Sequence, residues 1–401
     1  MAFFSFVRQH ARPLAFGALH SFYSAPGQTF CIGLFIAVVG RDLAISPAEI
    51  GGLYLVATVG SAVALLFVGP WIDHVRLIHF SAAVVAALVL ACFIMATAIG
   101  PLTLLAAFFA LRLTGQGLMI HVEATGTARA FEAERGRALG ITALGVPLSE
   151  VIFPPLAIAG IAALGWRSTY AMIGAVALLV LLPLTQWLLS GIKRAPPPRG
   201  PRVGAWRGLV AGIALLVGSR FLWAALPGLA VMPFISTAVM FYITAIAEAK
   251  GWPPGLIAAS FPASAIAHVV GLFASGTIVD RLSARGMLPF QSISIAVAAA
   301  LLGLASGPWA LPVAFALIGL GGGFMKPVIT AVWAELFGLS VLGAIRSAIA
   351  MYMVLISALA PFVFGSLIDA GYGVDAILVA FAIGGAICLL PSFYAALRRW
   401  S

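Results

Sequence analysis

The stretch FALRLTGQGLM, residues 109–119, returns 206 residues later as FALIGLGGGFM, residues 315–325. The two share the phenylalanine, alanine and leucine, both outer glycines and the methionine. The repeat extends on both sides of the pair, at offsets of 207 to 209. Gly69-Pro-Trp-Ile-Asp73 reappears as Gly276-Thr-Ile-Val-Asp280, Pro47 and Ile50 as Pro254 and Ile257, and Arg137 as Arg346. A register kept over this distance means that the chain contains two copies of one ancestral unit, each nearly half its length.

Composition says what each copy is made of. Of 401 residues, 63% are hydrophobic and 8% are charged, and the mean hydropathy is +1.13. Soluble domains carry about 25% charged residues, so this chain needs lipid as its solvent. A spanning helix takes about 20 apolar residues. Apolar runs separated by short polar or Gly/Pro turns place spans at 14–39, 48–70, 79–98, 102–126, 139–163 and 168–190, then at 221–246, 254–276, 289–306, 310–334, 345–368 and 376–397. The expected fold is therefore an all-α integral membrane protein. Its twelve transmembrane helices form two parallel, pseudo-symmetric six-helix bundles, 1–190 and 209–401. The Pro- and Arg-rich segment 191–208 reads as a linker, and 205–219 as an interfacial segment, since a thirteenth span would invert the charge pattern of everything after it. No cleavage site follows the first apolar run, which is expected to be retained. Cys31, Cys92 and Cys388 sit in apolar runs as small buried hydrophobes.

The net charge of +10 is distributed by the positive-inside rule. With a cytoplasmic N-terminus, 17 of the 22 basic residues fall in inside segments. Arg41, Arg167 and Lys250 fall outside, and Arg112 and Lys326 lie within the bilayer. The charge belongs to cytoplasmic loops, so nucleic acid is not an expected partner. Both termini are expected in the cytoplasm of a bacterial inner membrane, with the protein a monomer in lipid.

The repeat, together with short motifs across essentially the whole chain, resembles the major facilitator superfamily. That family carries a Gly-x3-Asp-Arg/Lys-x-Gly-Arg turn after its second helix, often echoed after the eighth. Here Gly69-x3-Asp73-His74-x-Arg76 is a degenerate copy and Gly276-x3-Asp280-Arg281-x3-Arg285 a fuller one. The fourth span resembles the family's Arg/Gly pattern in Arg112-Leu-Thr-Gly115-Gln-Gly117, whereas Gly145-Val-Pro147-Leu-Ser-Glu150 departs from the fifth-helix motif of drug/proton antiporters. The resemblance implies a secondary transporter working by alternating access, not an enzyme, with no cofactor. It implies a gating role for Asp73, Asp280, Arg281 and Arg285; an ordinary charged turn is the other reading.

Ionisable groups inside a bilayer are costly and by default mark a path or a relay. Arg112, His121, Glu123, Glu150, His268 and Lys326 are such groups, with His20 and Gln28 weaker additions. Arg112 and Glu150 lie about 15 Å and about 20 Å from the same membrane face at the helical rise per residue. An Arg112–Glu150 pair is therefore expected, either as a permanent ion pair or as one that opens when Glu150 takes a proton. Glu123 is a second proton-coupling candidate, and it too can be read as a loop anchor. Arg112 and Lys326 place one cation in each half, which leans the substrate toward a small organic anion; snorkelling is the bland reading for Lys326. The expected substrate-binding set is Gln28, Arg112, Glu150, His268 and Lys326.

Two further classes stay open. A copper-importing branch of the superfamily uses Met-x3-Met and His-x3-Met pairs. Met240-x3-Thr244 and His268-x3-Leu272 keep half of each, leaving Met240 and His268 as a weak metal alternative, beside a vitamin importer. A non-transporting receptor or assembly factor could use the same fold. No HExxH, Gly-x-Ser-x-Gly or phosphate-loop motif occurs, so enzyme chemistry is not expected.

Overall fold

Hydrocarbon offers no water to a peptide group, so a spanning segment must bond its N–H and C=O groups within itself, which a helix does. The computed structural model, described over residues 2–131, 133–190, 205–282, 284–337 and 342–397, contains helices and, among those residues, no strand. Eleven helical runs are long and apolar enough to cross a membrane. One of them, Arg135–Ser190, has 56 residues, about 84 Å as a single rod against a hydrocarbon core of about 30 Å. It is two helices. At Gly165 the backbone leaves the helix at φ +77° and ψ 165°, a region that glycine enters without a steric penalty. The spans are thus α1 (Ala11–Leu43), α2 (Pro47–Asp73), α3 (Leu77–Ala96), α4 (Pro101–Ala130), α5 (135–164), α6 (166–190), α7 (Arg220–Phe241), α8 (Pro254–Leu282), α9 (Ala284–Leu304), α10 (Ala310–Phe337), α11 (Leu342–Asp369) and α12 (Val374–Leu397). The twelve-helix expectation holds.

Proline stands in the first turn of α2, α4 and α8, where its missing N–H costs nothing. Ser46 caps α2 by accepting from the Glu49 N–H at 3.2 Å, and Ser219 caps α7 by accepting from Leu222 at 3.4 Å. The chain forms two compact units, Met1–Ile45 with Val56–Pro201, and Ser46–Leu55 with Arg202–Ser401. Most of the expected linker, 191–204, lies outside the described residues. The segment expected to be interfacial is a helix, Ala205–Gly218, of 14 residues. At about 21 Å it is too short to cross alone. Gly212 lays it against α11 so closely that an added Cβ would stand 2.9 Å from the Ala348 Cβ, while Val210, Ile213 and Val217 are exposed.

In the first unit α1 is not continuous, unlike the single span read from hydropathy. After Phe22 it passes through a short 3-10 turn, Ala25–Gly27, and an extended Gln28 (ψ 147°) before resuming at Thr29. The break rests against α4, which widens into a π-helix over Arg112–Met119. Gly27 and Gly115 face each other at the contact: a Cβ on either would lie 2.7 Å from the other's Cα. In the second unit the repeated stretch packs as closely. A Cβ on Gly319 would meet the Ser264 backbone of α8, at 2.8 Å from its Cα, and one on Gly323 would meet the Leu272 nitrogen at 2.8 Å. The sequence repeat is therefore also a packing repeat. Gly117 and Gly323 approach α2 (Leu65) and α8, whereas Gly115 meets α1 (Gly27) and its counterpart Gly321 meets Ser294 of α9 before Met232 of α7.

Gly27→Ala is expected to destabilise the protein by about 1–3 kcal/mol, the cost of overpacking a closed contact. Gly140→Ala, in a helix and with nothing within 4 Å of its Cβ position, should be neutral or stabilising by about 1 kcal/mol. Thermal unfolding in detergent compares the two.

Candidate functional site

The break in α1 has a local cause. Ser24-Ala-Pro-Gly-Gln28 puts a proline and a glycine inside an apolar run, and both interrupt helices. The carbonyls freed at a break need donors, and in the bilayer only the protein can supply them. Arg112 does this: its Nη1 donates to the Gly27 carbonyl at 3.2 Å and to the Thr29 hydroxyl at 3.4 Å. The residue is 6% exposed. Ser24 donates to the Ser21 carbonyl at 2.7 Å and accepts from Gln28 Nε2 at 3.1 Å. On the widened turn of α4, the Gln116 carboxamide oxygen is buried with no hydrogen-bond partner among the described residues. On the neighbouring helix, Phe153 of α5 packs its ring against Phe22 and Tyr23, at 5.3 and 5.6 Å between centroids. Tyr23 in turn donates to the Ile173 carbonyl of α6 at 3.0 Å. Gln28 and Arg112 are thus brought together at a helix break faced by a π-turn. Each is a feature that often marks function.

The Arg112–Glu150 ion pair expected from helix depths is not formed. Glu150 is half-buried and has no ion pair or side-chain hydrogen bond among the described residues. The physical reason is the Gly27–Gly115 contact. It brings the freed carbonyl of α1 within reach of the guanidinium, a partner that sequence depth could not reveal. Glu123 is 5% exposed and accepts from the Thr142 hydroxyl of α5, beside Thr127 at 3.5 Å from the same hydroxyl. His121 bonds the Gly69 carbonyl at 3.0 Å. His20 is fully buried between the Phe16 carbonyl and Ser81 Oγ, each at 2.9 Å.

In the second unit His268 faces the glycine run of α10. A Cβ on Gly322 would stand 3.2 Å from its Nδ1 and 3.8 Å from the Met232 methyl. Met240, the methionine named in the weak metal reading, is buried in α7; the one that shares a neighbourhood with His268 is Met232. No group of three or more His, Cys, Asp or Glu side chains able to hold a metal occurs among the described residues. Lys326, Asp280 and Arg281 lie on the helices α10 and α8, but their side chains fall outside the described residues.

Among the gating candidates, Asp73 pairs with Arg129 at the end of α4, and Arg129 also donates to the Ile72 carbonyl at 3.1 Å. Arg285 donates to the Ala395 carbonyl of α12 at 3.1 and 3.3 Å, and lies 5.4 Å from the Phe221 ring. Glu335 of α10 accepts from the Ala284 and Arg285 N–H groups at 3.0 and 3.4 Å, closing the start of α9. Arg129 and Glu335 were not singled out from sequence, although they stand at equivalent positions of the repeat, 206 residues apart. Their charges are opposite, so a search for repeated residue types passes over them.

A family model described as the Major Facilitator Superfamily matches residues 21–361. Among solved structures, a mutant of the nucleoside transporter NupG has a TM-score of 0.78 at 12% identity, covering 96% of this chain and 99% of that one. A bacterial homolog of the human lysosomal transporter Spinster, inward-facing and unoccupied, has a TM-score of 0.72 at 16% identity, with 98% of each chain covered. At these identities the likeness concerns the fold. A comparison with curated proteins finds no match.

Arg112→Gln removes the charged donor from the Gly27 carbonyl and is expected to lower stability by about 1–3 kcal/mol. Glu150→Gln breaks no ion pair and should stay within about 0.5 kcal/mol. Paired melting curves in one detergent read both.

Proposed function

Because the chain belongs to the Major Facilitator Superfamily, we propose that it moves a small organic solute across the membrane by alternating access, with the break in α1 and the π-turn of α4 as part of the solute path. The observation that carries this reading is the buried Arg112 held at that break. A cation deep in a transmembrane helix is expensive and marks function by default. Interrupted helices at mid-membrane are where transporters place their sites.

The lean toward an anion rests on Arg112 and Lys326. Arg112 donates to a neutral carbonyl, and hydrogen bonds to a carboxylate or phosphate are shorter and roughly twice as strong as neutral ones. An arriving anion can therefore take the guanidinium from Gly27. Glu150, half-buried and without an ion pair among the described residues, is the proton-coupling candidate: it can gain or lose a proton without dismantling such a pair. Glu123, held by Thr142, is the second. The direction of the basic residues along the sequence supports an inner-membrane topology with both termini cytoplasmic. NupG is a nucleoside transporter, and a neutral, hydroxyl-rich solute is the competing substrate class.

In proteoliposomes, Lys326→Gln is expected to raise the KM for an anionic solute at least tenfold while the protein stays monodisperse; an unchanged KM for every anion the parent carries, or a parent that carries neutral solutes and no anion, removes the anion assignment. Glu150→Gln should abolish accumulation driven by a pH gradient and keep solute exchange. Accumulation that still follows the gradient in this variant rules out Glu150 as the proton carrier.

A further inference from the structure

Each repeat carries one cross-loop staple where the ends of its odd-numbered helices meet, and the two staples have opposite polarity. In the first unit, Asp42 at the end of α1 pairs with Arg167 at the start of α6. Arg167 also donates to the Ala98 carbonyl after α3 at 3.0 Å. The Trp166 indole donates to Asp42 at 3.3 Å, with the guanidinium stacked 4.2 Å from its ring. In the second unit, Lys250 after α7 pairs with Asp375 at the start of α12, at 2.6 Å. Lys250 donates to the Ala305 carbonyl after α9 at 3.0 Å, and its Nζ lies 5.5 Å from the Trp252 ring, whose indole donates to the Ser306 carbonyl at 3.1 Å.

The parts correspond through the repeat. Ala98 answers to Ala305 at an offset of 207, and Asp42 and Arg167 answer to Lys250 and Asp375 at 208. The carbonyl is kept, a tryptophan is kept beside the cation, and the ion pair is inverted. The tryptophan goes with the cation, from Trp166 at the start of α6 to Trp252 after α7, and its indole donates to Asp42 in the first unit and to the Ser306 carbonyl in the second.

We propose that this inversion is a pairing code that keeps equivalent helices of the two repeats from exchanging partners while the chain assembles in the membrane. The need is physical. Lipid is as apolar as the helix surfaces, so burial does not drive one helix toward another, and proteins built from repeats characteristically fail by misassembly. Here both repeats use the same glycine-rich packing, so the packing itself discriminates poorly. Specificity is a difference of affinities and is widened by repulsion against the wrong partner. The end of α1 meeting the start of α12 would set Asp42 against Asp375. The end of α7 meeting the start of α6 would set Lys250 against Arg167. Both correct pairings attract and both exchanged pairings repel. The Lys250 side chain is only 5% exposed, so an uncompensated cation at that position is especially costly.

The test inverts one staple and then both, in the full chain. Asp42→Lys with Arg167→Asp gives the first unit the polarity of the second. Its local pair is kept, with Lys at 42 placed to reach the Ala98 carbonyl as Lys250 reaches Ala305, but all four pairings become attractive. The expected result is about a fivefold loss of monodisperse, thermally cooperative protein, the scale of one favourable surface pair. Adding Lys250→Asp and Asp375→Lys inverts both staples and restores the code, so this fourfold variant should recover to within about twofold of the parent on the same scale. A double variant that folds in normal yield overturns the proposal. So does a fourfold variant that remains as impaired as the double, since that would make each staple a purely local brace.

Discussion

The approach of Gly27 to Gly115 is the contact on which the first unit's site depends. Two residues without side chains let the interrupted α1 lie against the widened turn of α4. That proximity turns a hole in the hydrogen-bond ladder of α1 into a place where Arg112 can rest. A larger residue at either position would separate the helices. It would leave a buried carbonyl without a donor and a buried guanidinium without its acceptor, each costly where no water can reach. The polar chemistry of the site is thus made possible by an apolar packing constraint.

The same economy runs through the ionisable groups elsewhere. Asp73 finds Arg129, Glu123 finds Thr142, Glu335 closes the start of α9, and Arg285 reaches the end of α12. Each tie lies within one unit and pins a loop or helix end to a neighbouring span. These local ties hold the helices of each unit to one another. Glu150 departs from the pattern: it is half-buried and has no ion pair among the described residues.

Much of this was legible in the residues. Hydropathy and the recurrence of FALRLTGQGLM as FALIGLGGGFM predict the helix count and the duplication. Both follow from rules that act locally along a chain: the length of a span and the register of a repeat. The partners of the charges were not legible. Depth along two helices suggested Arg112 with Glu150, but depth says nothing about which way a helix is rotated or whether a neighbour is broken. The opposite charges of Arg129 and Glu335, and of the two staples, hid a positional equivalence that coordinates reveal at once.

By itself the sequence determined that this chain lives in lipid, crosses it twelve times and is built twice over, because a bilayer admits few solutions for an apolar backbone. Only the tertiary structure decided that α1 is interrupted, that Arg112 serves the interruption and not Glu150, and that each unit closes its loops with ion pairs of its own polarity. Those outcomes depend on helix rotation and on approaches of a few ångströms between segments far apart in sequence. Such distances are set by packing, and no pattern along one chain encodes them.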